Sequence, residues 1–186
     1  QAFPENTAFL DLAFRVEDAC VHETRERLPK LGKKAPECHA RIGDVLSLLY
    51  REASCFHGCP GGDHFGQRIA GRVVSHALGS YRLLCLGYYD ESLALSMNLG
   101  EVANLFWLFL HRPAELERWR QSDKKTRMRD FSPVRVRLAL ENASISVPID
   151  ETRYTGLCEV AVHAGPSTAP QAHNPVGVPT LGAIFQ

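Results

Sequence analysis

Cys55, His57, Cys59 and His64 fall within one ten-residue stretch, CFHGCPGGDH. Thiolate and imidazole are ligands that zinc takes readily, and glycines let a short chain wrap an ion. The spacing C-x-H-x-C-x4-H is not a standard finger spacing. Two other readings stay open: Cys55 and Cys59 facing each other as buried thiols at a helix end, and His64 opening the next helix beside Asp63. The candidate metal ligands are Cys55, His57, Cys59 and His64, with zinc as the candidate cofactor.

A second set is charged. Arg68, Arg72 and His76 are spaced four apart, and Asn98, Glu101 and Asn104 three apart. Each set shares a helix face. An antiparallel turn near Tyr88 sets Arg72 level with Asn104, and Glu101 between Arg72 and His76. Burying a charged Glu101 alone would cost roughly several kcal/mol, so a cation on the neighbouring helix is the simplest remedy. The arrangement reads either as an ion pair fixing the hairpin register or as a polar pocket between helices. In the pocket, Arg72 meets a phosphate, His76 or His163 transfers protons, and Glu101 orients one of them. Arg72, His76, Glu101 and His163 are the catalytic candidates.

A third set is basic. Arg118, Arg120, Lys124, Lys125, Arg127 and Arg129 are interleaved with Trp119 and followed by Phe131, Arg135 and Arg137. Cations with aromatics can hold a nucleic-acid backbone and stack its bases. A solvated helix face has much the same composition.

These sets need helices to position them. Asn6 to Leu28 has apolar residues at Phe9, Leu10, Ala13, Phe14 and Val21. Ala40 to Ser54 places Ile42, Val45, Leu46, Leu49 and Tyr50 on one face. A third helix runs to about Leu86, with Ile69, Val73, Val74, Ala77, Leu78, Tyr81 and Leu84 inward. The next, to about His111, is apolar on almost every side and should be the central helix. Pro113 and Pro133 mark two further helix starts. Pro148 and Asp150 precede a last helix with Tyr154, Leu157, Cys158, Ala161 and Val162 as its stripe. The expected fold is all-α: an up-down bundle over residues 1–164, centred on a long helix hairpin. Residues 165–186, which lack Asp, Glu, Lys and Arg from 164 onward, form an extended tail packed on it.

A chain of 186 residues with 45% hydrophobic and 23% charged residues suits one globular domain. Zero net charge gives no global field toward nucleic acid or membrane. No apolar run of about 18 residues lacks a polar break, so no membrane span is expected. The start carries no signal-peptide pattern, and the six cysteines sit largely in apolar helical patterns. A reduced, cytoplasmic setting is expected.

Several motifs occur in one order: CFHGCPGGDH, GYYDESLAL, GEVANL, SPVRVR, YTGLCEVAVH and PQAHN. Together they resemble a group of uncharacterised bacterial all-helical proteins, themselves distantly similar to HEPN-like helical domains. The resemblance covers about Cys55 to Asn174. Cys55, Cys59, His64, Glu101, Tyr154, Glu159 and His163 match the group's pattern. Met97 departs from it, standing where the pattern has Arg one turn before the Glu. HEPN ribonucleases carry Arg, four to six residues, then His. Arg15 with His22 and Arg51 with His57 fit that spacing, no more often than composition gives by chance. The resemblance implies a helical bundle and an RNA-acting toxin or defence role, by metal-independent cleavage or by binding. The alternatives are a non-enzymatic interaction module, as a homodimer or with a protein partner, and a small metal-binding helical protein.

Overall fold

A computed structural model describes residues 7–59 and 61–162. His163 and the tail at 165–186 lie outside the described residues. Within them the chain is all-α, with eight α-helices and no strand. The helices are α1 (Thr7–Arg27), α2 (Lys34–Ala53), α3 (Phe65–Leu86), α4 (Tyr89–His111), α5 (Pro113–Gln121), α6 (Lys124–Asp130), α7 (Pro133–Asn142) and α8 (Glu151–Leu157). A 3-10 turn at Leu28–Lys30 links α1 to α2, and α8 runs on as a π-helical turn, Cys158–Val162.

The hairpin of α3 and α4 turns at Gly87, whose φ of 87° favours glycine. Tyr88 N–H returns to the Leu83 carbonyl at 2.9 Å and Gly87 N–H to Leu84 at 3.2 Å, a Schellman ending. Serines then fix the register. Ser80 Oγ lies 2.9 Å from the Ser92 carbonyl and 2.9 Å from Ser96 Oγ, while Ser92 Oγ donates to the Ser80 carbonyl at 2.8 Å. Ser80 thus stands between Ser92 and Ser96, which sets Arg72 level with about Val102, roughly half a turn short of the Asn104 expected from the turn placement.

The opposite face of α4 is covered from α7 and α8. Asn104 clasps Ile149: its Nδ2 donates to the Ile149 carbonyl at 2.8 Å, and Ile149 N–H donates to its Oδ1 at 2.9 Å. Leu108, Phe109, Phe131, Val136 and Leu140 form a buried core where α4 meets α7. By length and composition α4 could cross a bilayer; in the structure α3, α5, α7, α8 and the π-helical turn pack along it.

Three sequence expectations change. First, α2 starts at Lys34, well before Ala40, and takes Pro36 into its first turn. Proline is tolerated there because that N–H would be unpaired anyway. Second, the basic stretch splits: Asp123 caps a separate α6 by accepting from Thr126 N–H at 2.7 Å. Third, residues expected inward stand exposed, among them Ile42, Val45 and Tyr50 of α2 and Leu78 and Leu84 of α3. α2 buries no residue fully. It leaves an apolar groove of about 580 Å³ against α3 and α4, bordered by Val45, Leu49, Val73, Val102 and Phe106.

Two glycine substitutions test the packing with opposite signs. A Cβ on Gly100 would meet Ile149 Cγ1 at 2.6 Å, whereas one on Gly71 would sit 3.7 Å from Ala53 Cβ. Gly100→Ala should destabilise by about 1–2 kcal/mol, overpacking outweighing helix propensity. Gly71→Ala should stabilise by up to about 1 kcal/mol through propensity. Urea unfolding of both variants reads the two signs; a stabilised Gly100→Ala would contradict the close packing of α4 on Ile149.

Candidate metal centre

The loop between α2 and α3 is shaped residue by residue. Ser54 N–H and Oγ both donate to the Tyr50 carbonyl, at 3.0 and 2.8 Å, ending α2. Cys55 then takes a left-handed φ of 52°, and Gly58 N–H closes back on its carbonyl at 2.9 Å. Gly61 and Gly62 take φ of 73° and 80°, backbone that favours glycine. His64, at the N-terminus of α3, is again left-handed at 52°. A non-glycine residue in that region costs about 1–3 kcal/mol, and such strain concentrates at functional sites.

The turns bring Cys55 Sγ, Cys59 Sγ and a His64 ring nitrogen within 4.8 Å of one another. Cys59 Sγ lies 2.9 Å from His64 Nε2. His64 Nδ1 lies 3.1 Å from the Gly62 carbonyl. A carbonyl can only accept, so that bond puts a proton on Nδ1. In the neutral ring this leaves the Nε2 lone pair facing the sulfurs, the carbonyl support that metal-bound imidazoles commonly have. The Cys59 thiol is pulled below its usual range, first by a backbone hydrogen bond from Gly61 and then by His64. The Cys55 thiol is pushed up, first by desolvation and then by Cys59. His64 is raised, above all by its bond to Cys59.

A tetrahedral zinc holds sulfur and nitrogen donors roughly 3.4–3.8 Å apart, from bond lengths near 2.3 and 2.0–2.1 Å. The three donors can meet that with small side-chain rotations. His57 is not in the converging group; its ring sits edge-on to Phe56 at 5.1 Å. Asp63 is also committed: Oδ1 accepts from Phe65 N–H at 3.1 Å and Oδ2 pairs with Arg120. Arg120 in turn covers the Phe65 ring at 5.2 Å, and Phe65 packs against Phe106 and Trp119. The loop is thereby fastened to α4 and α5.

The charged set assembles differently. Glu101 accepts from the Tyr154 hydroxyl at 3.0 Å, and no ion pair joins it to Arg72 or His76 among the described residues. At 3.6 residues per turn Glu101 lies roughly 140° around α4 from Ser96, which faces α3. Tyr154 is pushed up to about 12, first by burial and then by its bond to Glu101. The Arg137 guanidinium lies 4.7 Å from the Tyr154 ring centroid. Met97, level with this group, meets Cys158 Sγ at 3.3 Å through its sulfur. Arg72 is exposed and His76 half-buried.

The basic segment is largely occupied within the chain. Arg118 pairs with Glu115 at 3.0 Å and with Asp130; Arg129 pairs with Asp130 at 2.6 Å. Arg127 donates to the Ser122 carbonyl. Bonds from Arg129, then Arg118, hold Asp130 down at about 2. Arg137 is only 5% exposed, and Phe131 belongs to the core. Lys124 and Lys125 stay exposed.

The chain matches no family model, no curated protein and no solved structure.

Sequence reasoning missed Tyr154 as the partner of Glu101, because its ring fits the apolar stripe while its hydroxyl does the pairing. The glycines of the loop were legible as letting the chain wrap an ion, but not that the Gly61 N–H bonds Cys59 and the Gly62 carbonyl bonds His64. In metal-free protein, histidine NMR should show His64 titrating above the ordinary range near 6.5. Cys59→Ser should bring it down. An unchanged His64 titration in that variant would show that the two side chains do not meet.

Proposed function

We propose that this protein is a zinc-binding helical module, with the ion held by Cys55, Cys59 and His64 where α2 passes into α3. The carrying observation is the convergence of those three donors within 4.8 Å, with Nε2 of His64 turned toward the sulfurs. Two thiolates and an imidazole suit a borderline-soft ion, and zinc accepts tetrahedral sites without redox chemistry. The chain's own part is to hold both sulfurs and the ring in place and to stabilise negative charge on Cys59 through the Gly61 N–H. Bound zinc supplies a positive charge that ties the end of α2 to the start of α3. Three protein donors leave one coordination position for a donor outside the group.

A second reading is an RNA-acting, HEPN-like protein. Its support is the exposed cations with no ion pair among the described residues: Arg68 and Arg72 one turn apart on α3, and Lys124 and Lys125 on α6. It draws little on Arg118, Arg120, Arg127 and Arg129, which are engaged within the chain.

Protein purified without a histidine tag should carry zinc at about one equivalent by elemental analysis. Cys55→Ser, Cys59→Ser and His64→Ala should each lose it, and His57→Ala should keep it. Free zinc at a hundred times its Kd should add about 2.7 kcal/mol of stability, removed by chelator. Zinc far below one equivalent after reconstitution contradicts the reading. RNA binding by the exposed cations should weaken steeply with salt and fall in Arg72→Ala; salt-indifferent or absent binding rejects the second reading.

A further inference from the structure

Away from the Cys/His loop, α1, the 3-10 turn, α2 and α3 enclose a cavity of about 380 Å³. Its polar wall is made by Arg25, Arg82, His39, Tyr81 and Thr24, and Val21, Leu28 and Pro29 supply apolar surface. No carboxylate lines it. Neither Arg25 nor Arg82 has an ion-pair partner among the described residues. Arg25 and Arg82 are both exposed side chains that border the cavity, and guanidinium forks match phosphate oxygens.

The other polar groups suit the same ligand. The Tyr81 hydroxyl and His39 Nδ1 are bonded at 2.8 Å, so the phenol and imidazole stand as one unit in the wall. Whichever way that bond runs, one of the two keeps an N–H or O–H free to donate to an anion. Thr24 Oγ1 bonds the Cys85 carbonyl at 3.4 Å, joining α1 to α3 behind the cavity. The chain leading into His39 carries Lys30, Lys33 and Lys34 against Glu37, a stretch of net positive charge. A volume of 380 Å³ falls in the range of small-molecule sites and admits more than a bare anion.

We propose that this cavity binds a phosphate group, free or carried on a small organic body of nucleotide size, through Arg25 and Arg82. The site is separate from the candidate zinc ligands and does not rest on them. Isothermal titration with adenosine 5′-monophosphate, adenosine and inorganic phosphate at constant ionic strength tests it. Saturable one-to-one binding of a phosphate-bearing probe is expected, with no matching affinity for adenosine. Arg25→Gln and Arg82→Gln should each weaken binding at least tenfold with melting unchanged, and Lys124→Gln should leave it intact. A tighter monophosphate identifies an ester as the ligand, and equal affinities identify phosphate itself. Binding should also shift the NMR signals of His39, which stays informative if an arginine variant folds poorly. No saturable binding at millimolar probe, equal affinity for adenosine, or undiminished affinity in folded arginine variants would each overturn the proposal.

Discussion

An apolar helix of 23 residues must be covered, and the places of α3, α5, α7 and α8 follow from covering α4. At about 25 cal/mol per Å² of apolar surface buried, packing on it is the largest favourable contribution available. α3 covers one face, and α7, α8 and the π-helical turn cover another. The polar residues that interrupt α4 then set how each neighbour docks. Ser92 and Ser96 hold Ser80 of α3, Asn104 holds the backbone of Ile149, and Glu101 holds the hydroxyl of Tyr154. Each would be costly to bury unpaired, so each admits one register and resists others.

The α2–α3 loop obeys a different logic. It is built from backbone geometry rather than burial, with two non-glycine residues in left-handed conformation and three positive-φ glycines, Gly58, Gly61 and Gly62, between them. α2 itself packs only partly, with no fully buried residue. It lies along α3, and the loop ties its end to the start of that helix. The donors of Cys55, Cys59 and His64 sit at that junction, where one ion would restrain both helices. The Asp63–Arg120 pair and the stacking of Phe65 on Phe106 carry the restraint to α4 and α5.

Much of the fold was legible because helix signals are local. Gly87, Pro113, Pro133 and Asp150 mark helix ends and starts where the chain has them, and the apolar character of α4 marks its central place. Charge pairing was less legible. The turn at Gly87 gave the levels of α3 and α4 to within about half a helical turn, but not that Glu101 faces α8 and Arg72 faces solvent. The basic segment read as a free surface because acids distant in sequence, such as Asp63 for Arg120, are joined to it only by the fold. Three of the four loop ligands converge, and His57 does not, since glycine turns decide direction where no helical period applies.

The central claim is that Cys55, Cys59 and His64 share one zinc ion. X-ray absorption at the zinc edge, on the reconstituted full chain, tests it most directly. The account predicts two sulfurs near 2.3 Å and at least one imidazole nitrogen near 2.0–2.1 Å, the nitrogen lost in His64→Ala. A shell of oxygen alone, or a shell unchanged in that variant, would contradict it.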